Sequence, residues 1–263
     1  MNPNLLVDSD TRGVATLTMN RPEVHNAFDE ALIEALTRRL ATVGSDSAVR
    51  AVVLRGAGKS FSAGADIHWM KRAAAHSEQE NYEDALRFAE LMRTLDCLPK
   101  PTLAVVHGHV MGGGVGLCCA CDIVLAAEDA RFSISEVRLG ILPAVIGPYV
   151  VNALGRRQAR RLMMSAERLD AAAAQALGLA HITCVGEAPD RELQRQLGLL
   201  LGNGPEAVVE AKRIALALAP GPVTPEVIEL TARTISRVRA GAEARAGFAA
   251  FFDKRPPPWA VQV

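Results

Sequence analysis

The chain lacks net charge, a membrane-length apolar run and an even set of cysteines, and each absence closes a class of function. Its 29 lysines and arginines balance 29 aspartates and glutamates over 263 residues. No overall field therefore draws it to nucleic acid or to an anionic membrane surface. No apolar run approaches the roughly 20 residues that span a bilayer. Met1 to Asp10 has neither a basic n-region nor a long apolar h-region, so a cytoplasmic location is expected. The five cysteines, Cys97, Cys118, Cys119, Cys121 and Cys184, are odd in number, and three crowd one apolar segment without a histidine at ligand spacing. Neither a disulfide framework nor a zinc site is expected. His107 and His109 flank Gly108 but have no third ligand nearby, so no metal is expected there either.

Several nucleophile and nucleotide motifs are missing too. Gly58-Lys59-Ser60 resembles the end of a phosphate-binding P-loop, but Val53 stands where the pattern needs its first glycine. Neither glycine cluster fits the G-x-G-x-x-G dinucleotide fingerprint after a strand. No G-x-S-x-G elbow exists for a serine hydrolase.

The chain does have a hydrophobic content of 49%, ample for a packed core. Leu5 to Val7 and Val14 to Met19 read as paired strands, followed by an amphipathic helix from Ala31 to Val43. Val49 to Arg55 is a continuous apolar run suited to a strand buried on both faces of a mostly parallel sheet. Ser77 and Glu80 form a capping box that opens a helix through about Cys97, and Pro99 and Pro101 stop it. Thr102 to Val106 is the next buried strand, Gly108 to Gly116 a glycine-rich turn, Leu117 to Ala120 a helix, and Ile123 to Ala126 another strand. The alternation argues for a right-handed coil of βα units with functional loops at the carboxyl ends of the strands. From about Gly147 the chain turns helical. Asp170 caps a helix ended by Gly178, His181 to Val185 is a last short strand, and Thr224-Pro225 starts a further helix. The reading divides the chain into an α/β core, 1–195, and a helical C-terminal region, 196–263.

Two small-residue segments carry the chemistry. Phe61-Ser62-Ala63-Gly64-Ala65-Asp66-Ile67 precedes Gly112-Gly113-Gly114-Val115-Gly116 by some fifty residues. Side chains this small leave the main chain accessible, and glycine permits angles that aim N–H groups outward, so the two segments suggest donors converging on one oxygen. The second lies between a strand and a helix, where the helix dipole adds positive potential. Glu136 stands in the mostly apolar stretch Ser133 to Gly140, where desolvation would raise its pKa and fit it to carry a proton. Asp66, Asp122 and His68 are weaker candidates: Asp122 reads equally as a strand-start bond, and His68 as part of a pocket mouth.

These segments, in this order, resemble the crotonase, or enoyl-CoA hydratase/isomerase, family along nearly the whole chain. Arg21-Pro22 with Asn26-Ala27-Phe28 is similar to the family's early CoA-contacting segment. Phe61 to Ile67 and Gly112 to Gly116 are similar to its oxyanion loops, Ser135-Glu136 with Leu139-Gly140 and Pro143 to its catalytic-glutamate segment, and Phe251 to Trp259 to its C-terminal ending. The resemblance implies a crotonase-like spiral of ββα units with a helical C-terminal region, assembled as a homotrimer or dimer of trimers. It implies that the backbone N–H groups of Ala65 and Gly113 hold the thioester oxygen of an acyl-CoA. Glu136 then acts as acid/base, and Ala27, Ala63, Asp66, Ile67, His68, Gly112 and Gly116 line the substrate path. No cofactor is implied beyond the coenzyme A of the substrate, and no nucleic-acid or membrane partner.

One departure bears on mechanism. Hydratases of the family use two glutamates, the first three residues after the oxyanion glycine, and here that position is Gly116. A single carboxylate suffices for a Δ3,Δ2-enoyl-CoA isomerase, which moves one proton between two carbons. The run from Gly113 to Leu117 with Ser135 to Ala144 resembles instead the bacterial methylglutaconyl-CoA and carboxygeranoyl-CoA hydratases of leucine and acyclic terpene breakdown. That likeness implies an enoyl-CoA hydratase acting on a branched or carboxylated acyl chain, whose distal carboxylate would order water in the space Gly116 leaves. A non-catalytic acyl-CoA-binding protein is the third reading, against which Glu136 speaks.

Overall fold

The computed structural model describes residues 3–186 and 188–260. The chain opens with β1 (Leu5–Ser9) antiparallel to β2 (Val14–Met19), then α1 (Glu30–Ser45) and β3 (Ala51–Gly56). Next come α2 (Ile67–Ala73), α3 (Glu78–Asp96), β4 (Thr102–Val106), β5 (His109–Met111), α4 (Gly113–Ala120), β6 (Ile123–Ala127) and β7 (Arg131–Ser133). The remainder comprises α5 (Gly147–Ser165), β8 (Leu169–Asp170), α6 (Ala171–Ala176), β9 (Ile182–Cys184), α7 (Ala188–Leu201), α8 (Pro205–Ala217), α9 (Pro225–Arg239) and α10 (Ala242–Phe252).

The strands form two sheets, one in the order β1-β2-β3-β4-β6-β9 and one in the order β5-β7-β8. Beyond β1, neighbours in the large sheet are parallel. Parallel strands need cover on both faces, and alternation in β3 provides for it. Val52 and Leu54 join the cluster formed with α1, α3 and α4, whereas Ala51 and Val53 join a second cluster with Leu193, Leu197 and Leu201 of α7. Thus α7 runs through residue 195 while covering the sheet, and the helices beyond it begin at Pro205. Lys212 of α8 reaches back to Asp122 at 2.8 Å, and that carboxylate also accepts from the Thr102 N–H and hydroxyl. Asp122 therefore joins the start of β4 to the helical region and takes no part in the cavity described below. No helix among the described residues is long and apolar enough to cross a membrane.

The repeat of the fold is a strand in the large sheet, a strand in the small sheet and a helix: β4-β5-α4, then β6-β7-α5. A reduced copy precedes them, in which β3 is followed by a single small-sheet bridge at Ser62, paired with Val110, and then by α2. The sequence reading of Gly108 to Gly116 as one turn is corrected here. The segment holds β5, and the helix starts at Gly113, four residues earlier than expected. Packing overrides glycine's poor helix propensity: a Cβ on Gly114 would stand 3.1 Å from Ser62 Cβ, and one on Gly113 2.7 Å from the tip of Phe88.

Candidate functional site

Three segments meet at the carboxyl end of the small sheet because they occupy matching places in successive repeats. Ser62 pairs with Val110, and Val110 with Phe132. Ala65 lies three residues beyond the first of these, Gly113 three beyond the second and Glu136 four beyond the third. The ladder register thus gathers two candidate oxyanion donors and one carboxylate.

The first donor is freed by the way its loop is tied. Phe28 N–H donates to Gly64 C=O at 2.7 Å and Asp66 N–H to Phe28 C=O at 2.9 Å. These bonds bracket Ala65 in a parallel bridge, which turns the residue's own N–H away from its partner strand. Among the described residues that N–H has no acceptor. Gly64 makes the turn at φ +90 and packs on Met111 C=O, where a Cβ would stand at 3.2 Å. Gly113 is the first residue of α4, so its N–H is one of the orphan donors at the positive end of the helix. It too has no acceptor among the described residues.

Glu136 opens a short 3-10 turn, Glu136–Leu139. Ser133 hydroxyl and Arg138 guanidinium both donate to Ala166 C=O, at 3.1 and 2.8 Å, which fixes the segment against the end of α5. The carboxylate lies against Gly112, where a Cβ would be 3.1 Å from Oε1, and Oε2 is buried with no hydrogen-bond partner among the described residues. Burial pushes the Glu136 pKa up, with the nearby N–H groups of Glu136 and Ser135 offsetting part of that rise.

A cavity of about 350 Å³ opens at this point. Of the residues expected from sequence, Ala63, Ala65, Gly112, Gly113 and Glu136 line it. Five others lie elsewhere. Ala27 is buried and gives its C=O to Arg21 at 2.6 Å. Asp66 is 4% exposed and caps α2 through the N–H groups of His68 and Trp69, while Arg21 bridges it, at 2.9 Å, to Asp29, the cap of α1. Although burial alone would raise its pKa, those donors and the guanidinium hold the Asp66 carboxyl below its usual range. Ile67 and His68 are exposed on the first turn of α2.

Gly116 is buried in α4, and the space its missing side chain was expected to leave for water is filled. A Cβ there would meet Ile146 Cγ2 at 2.4 Å and Met92 Cε at 3.3 Å. Of the apolar wall the sequence reading named Phe28, in the CoA-contacting segment, but not Trp69, Phe88, Leu142 or Ile146. Phe88 was legible in principle, one turn before Leu91, Met92 and Leu95 on the buried stripe of α3.

The enoyl-CoA hydratase/isomerase family model matches residues 9–262. The chain belongs to the enoyl-CoA hydratase/isomerase family. A putative enoyl-CoA hydratase of Thermus thermophilus is 34% identical over 96% of this chain and 99% of its own. Among solved structures, an enoyl-CoA hydratase from Shewanella pealeana has a TM-score of 0.94 at 39% identity, covering 97% of this chain and 96% of its own. A putative enoyl-CoA hydratase/isomerase (crotonase) from Legionella pneumophila has a TM-score of 0.92 at 41% identity, covering 98% and 100%. The fold is the crotonase fold and the chain is an enzyme of that superfamily. Its acyl-CoA chemistry agrees with the site, since enolate formation needs donors for one oxygen and a group that moves protons at carbon.

Proposed function

We propose that the enzyme adds water across the double bond of a 2-enoyl-CoA, with Glu136 as the only acid/base. The Ala65 and Gly113 N–H groups receive the thioester oxygen as it gains enolate charge. Each such donor is typically worth about 2.7–4 kcal/mol in the transition state. Glu136 in its ionised form takes a proton from water as the oxygen adds at C3, and the protonated carboxyl then delivers a proton to C2. The observation that carries this reading is the juxtaposition, in one cavity, of two N–H groups without acceptors and a carboxylate whose buried Oε2 has no partner, all among the described residues.

The lining supports a neutral, apolar acyl chain, linear or branched, over a carboxylated one. Among the described residues it contains no lysine, arginine or histidine, and Glu136 is its one ionisable group. A distal carboxylate would be desolvated beside another carboxylate with no cation to pair it. The packing at Gly116 favours a second reading, the Δ3,Δ2-enoyl-CoA isomerase. Ile146 and Met92 make the wall apolar where a second water-holding glutamate would stand, and one carboxylate suffices to relocate a proton.

Presenting 2-hexenoyl-CoA and 3-hexenoyl-CoA separately, and following enoyl absorbance together with product mass, separates these readings. Gain of one water on the 2-enoyl thioester supports the hydratase. Conversion of the 3-enoyl thioester at unchanged mass, with no hydration of either, replaces it with the isomerase. A homotrimer or dimer of trimers is proposed for the assembly, supported by large apolar side chains left exposed on the C-terminal helices, among them Ile228, Ile235, Phe251 and Phe252.

A further inference from the structure

We propose that Ile146 is a specificity-determining residue that sets the size of substituent accepted at the acyl carbon beside the Glu136 carboxylate. Gly112 is the N-cap of α4, with non-helical φ 49 and ψ −116, and Gly116 lies in the helix's first turn. A Cβ on Gly112 would stand 3.1 Å from Glu136 Oε1, and one on Gly116 would stand 2.4 Å from Ile146 Cγ2 and 3.0 Å from Ile146 Cβ. The carboxylate and the isoleucine therefore pack against the start of α4, one at its cap and the other at its first turn. Ile146 is 2% exposed, immediately precedes α5 and lines the same cavity as Glu136.

The chemistry fixes which substrate atoms meet this side chain. With the thioester oxygen on the Ala65 and Gly113 N–H groups, C1 is held in place, and C2 and C3 lie where Glu136 can exchange protons with them or with water. Ile146 lines the same cavity, backed by Gly116 of α4, so it stands where a substituent on C3 would go. The close fit of Ile146 on Gly116 means that the wall cannot retreat into α4: the backbone of that turn stands directly behind it. A bulky C3 substituent is thus refused, and trimming Ile146 admits it. The assignment rests on the oxyanion reading of the site and holds for either direction of proton traffic at Glu136.

The test uses saturated thioesters, which bind without reacting. Dissociation constants for butanoyl-CoA and 3,3-dimethylbutanoyl-CoA are measured calorimetrically on the wild type, Ile146→Val and Ile146→Ala. The expected result is that the wild type prefers the linear ligand and that Ile146→Ala shifts the ratio toward the bulky one by about tenfold or more, with Ile146→Val moving it part of the way. Ile146→Val removes one methyl group and keeps the site folded if the alanine variant does not. Equal weakening of both ligands, or an unchanged ratio, overturns the proposal and leaves Ile146 a packing residue. A wild type that binds both ligands with the expected ratio but hydrates no 2-enoyl-CoA would remove the hydratase reading alone.

Discussion

Replacing Glu136 with Gln should slow turnover and stabilise the fold at the same time. The amide keeps the shape of the carboxyl but can neither take nor give the reacting proton. Loss of one positioned acid/base costs about 10² to 10⁴ in rate, or about 2.7–5.5 kcal/mol of barrier. The stability effect follows from the burial of the carboxylate, whose desolvation raises its pKa. Between the ordinary carboxylate range and that raised value the folded protein keeps a proton the unfolded chain has lost. Wild-type stability therefore falls as pH rises through that window and stays lowered above it. The neutral amide is spared that charge-desolvation cost, each pKa unit of which is about 1.4 kcal/mol. Recovering 1 kcal/mol of it corresponds to about 2–4 °C in a chain of this size. Melting curves at pH 4.5 and pH 8, paired with initial rates on a 2-enoyl-CoA, should show no gain for Glu136→Gln at the lower pH and a gain of that order at the higher. A variant that melts lower than wild type at pH 8, or that retains more than a tenth of the turnover, refutes the reasoning.

Other perturbations test the surrounding geometry. Gly113→Ala retains its N–H but places a Cβ 2.7 Å from Phe88 Cζ and 3.3 Å from Phe28, so kcat/KM should fall at least tenfold, with partial recovery in Gly113→Ala/Phe88→Ala. Gly64→Ala forces a side chain to φ +90, which should cost about 1–3 kcal/mol by denaturant titration and lower kcat more than it raises KM. The depressed pKa of Asp66 means that its stabilisation is present above the ordinary carboxylate range and lost as pH falls through the lowered value. Asp66→Asn, which still caps α2 but cannot pair with Arg21, should therefore melt below wild type at pH 7 and approach it as pH falls below the ordinary carboxylate range.

The parts of this molecule that local physics decides were legible in its sequence. The run at β3 reads as a doubly buried strand because valine and leucine occupy both faces of it, and both faces are in fact covered. Ser77 and Glu80 read as a capping box because their side chains satisfy backbone groups three residues away, as they do in the structure. The start of α4 was not legible: four glycines within five residues argue against a helix, and the neighbours that explain them, among them Glu136, Phe88, Ser62 and Ile146, are far off in sequence. Likewise α2 has seven residues and no buried one, so it carries no periodic signal beyond the cap at Asp66. The wall from Ile141 to Ile146 belongs to no helix or strand, and apolar residues in an irregular segment have no period to read. That gap led to the misjudged open space behind Gly116. A missing side chain shows in a sequence, whereas the distant isoleucine that fills its place does not.

The most direct test of the central claim is a single-turnover reaction with crotonyl-CoA in ¹⁸O-labelled water, run with wild type and with Glu136→Gln and read by mass spectrometry. The account predicts a 3-hydroxyacyl product carrying one labelled oxygen from the wild type and a loss of about 10² or more in its rate of formation with the variant. Labelled product formed equally fast by both proteins would contradict it, since the carboxylate gathered beside the two N–H groups would then have no part in the chemistry.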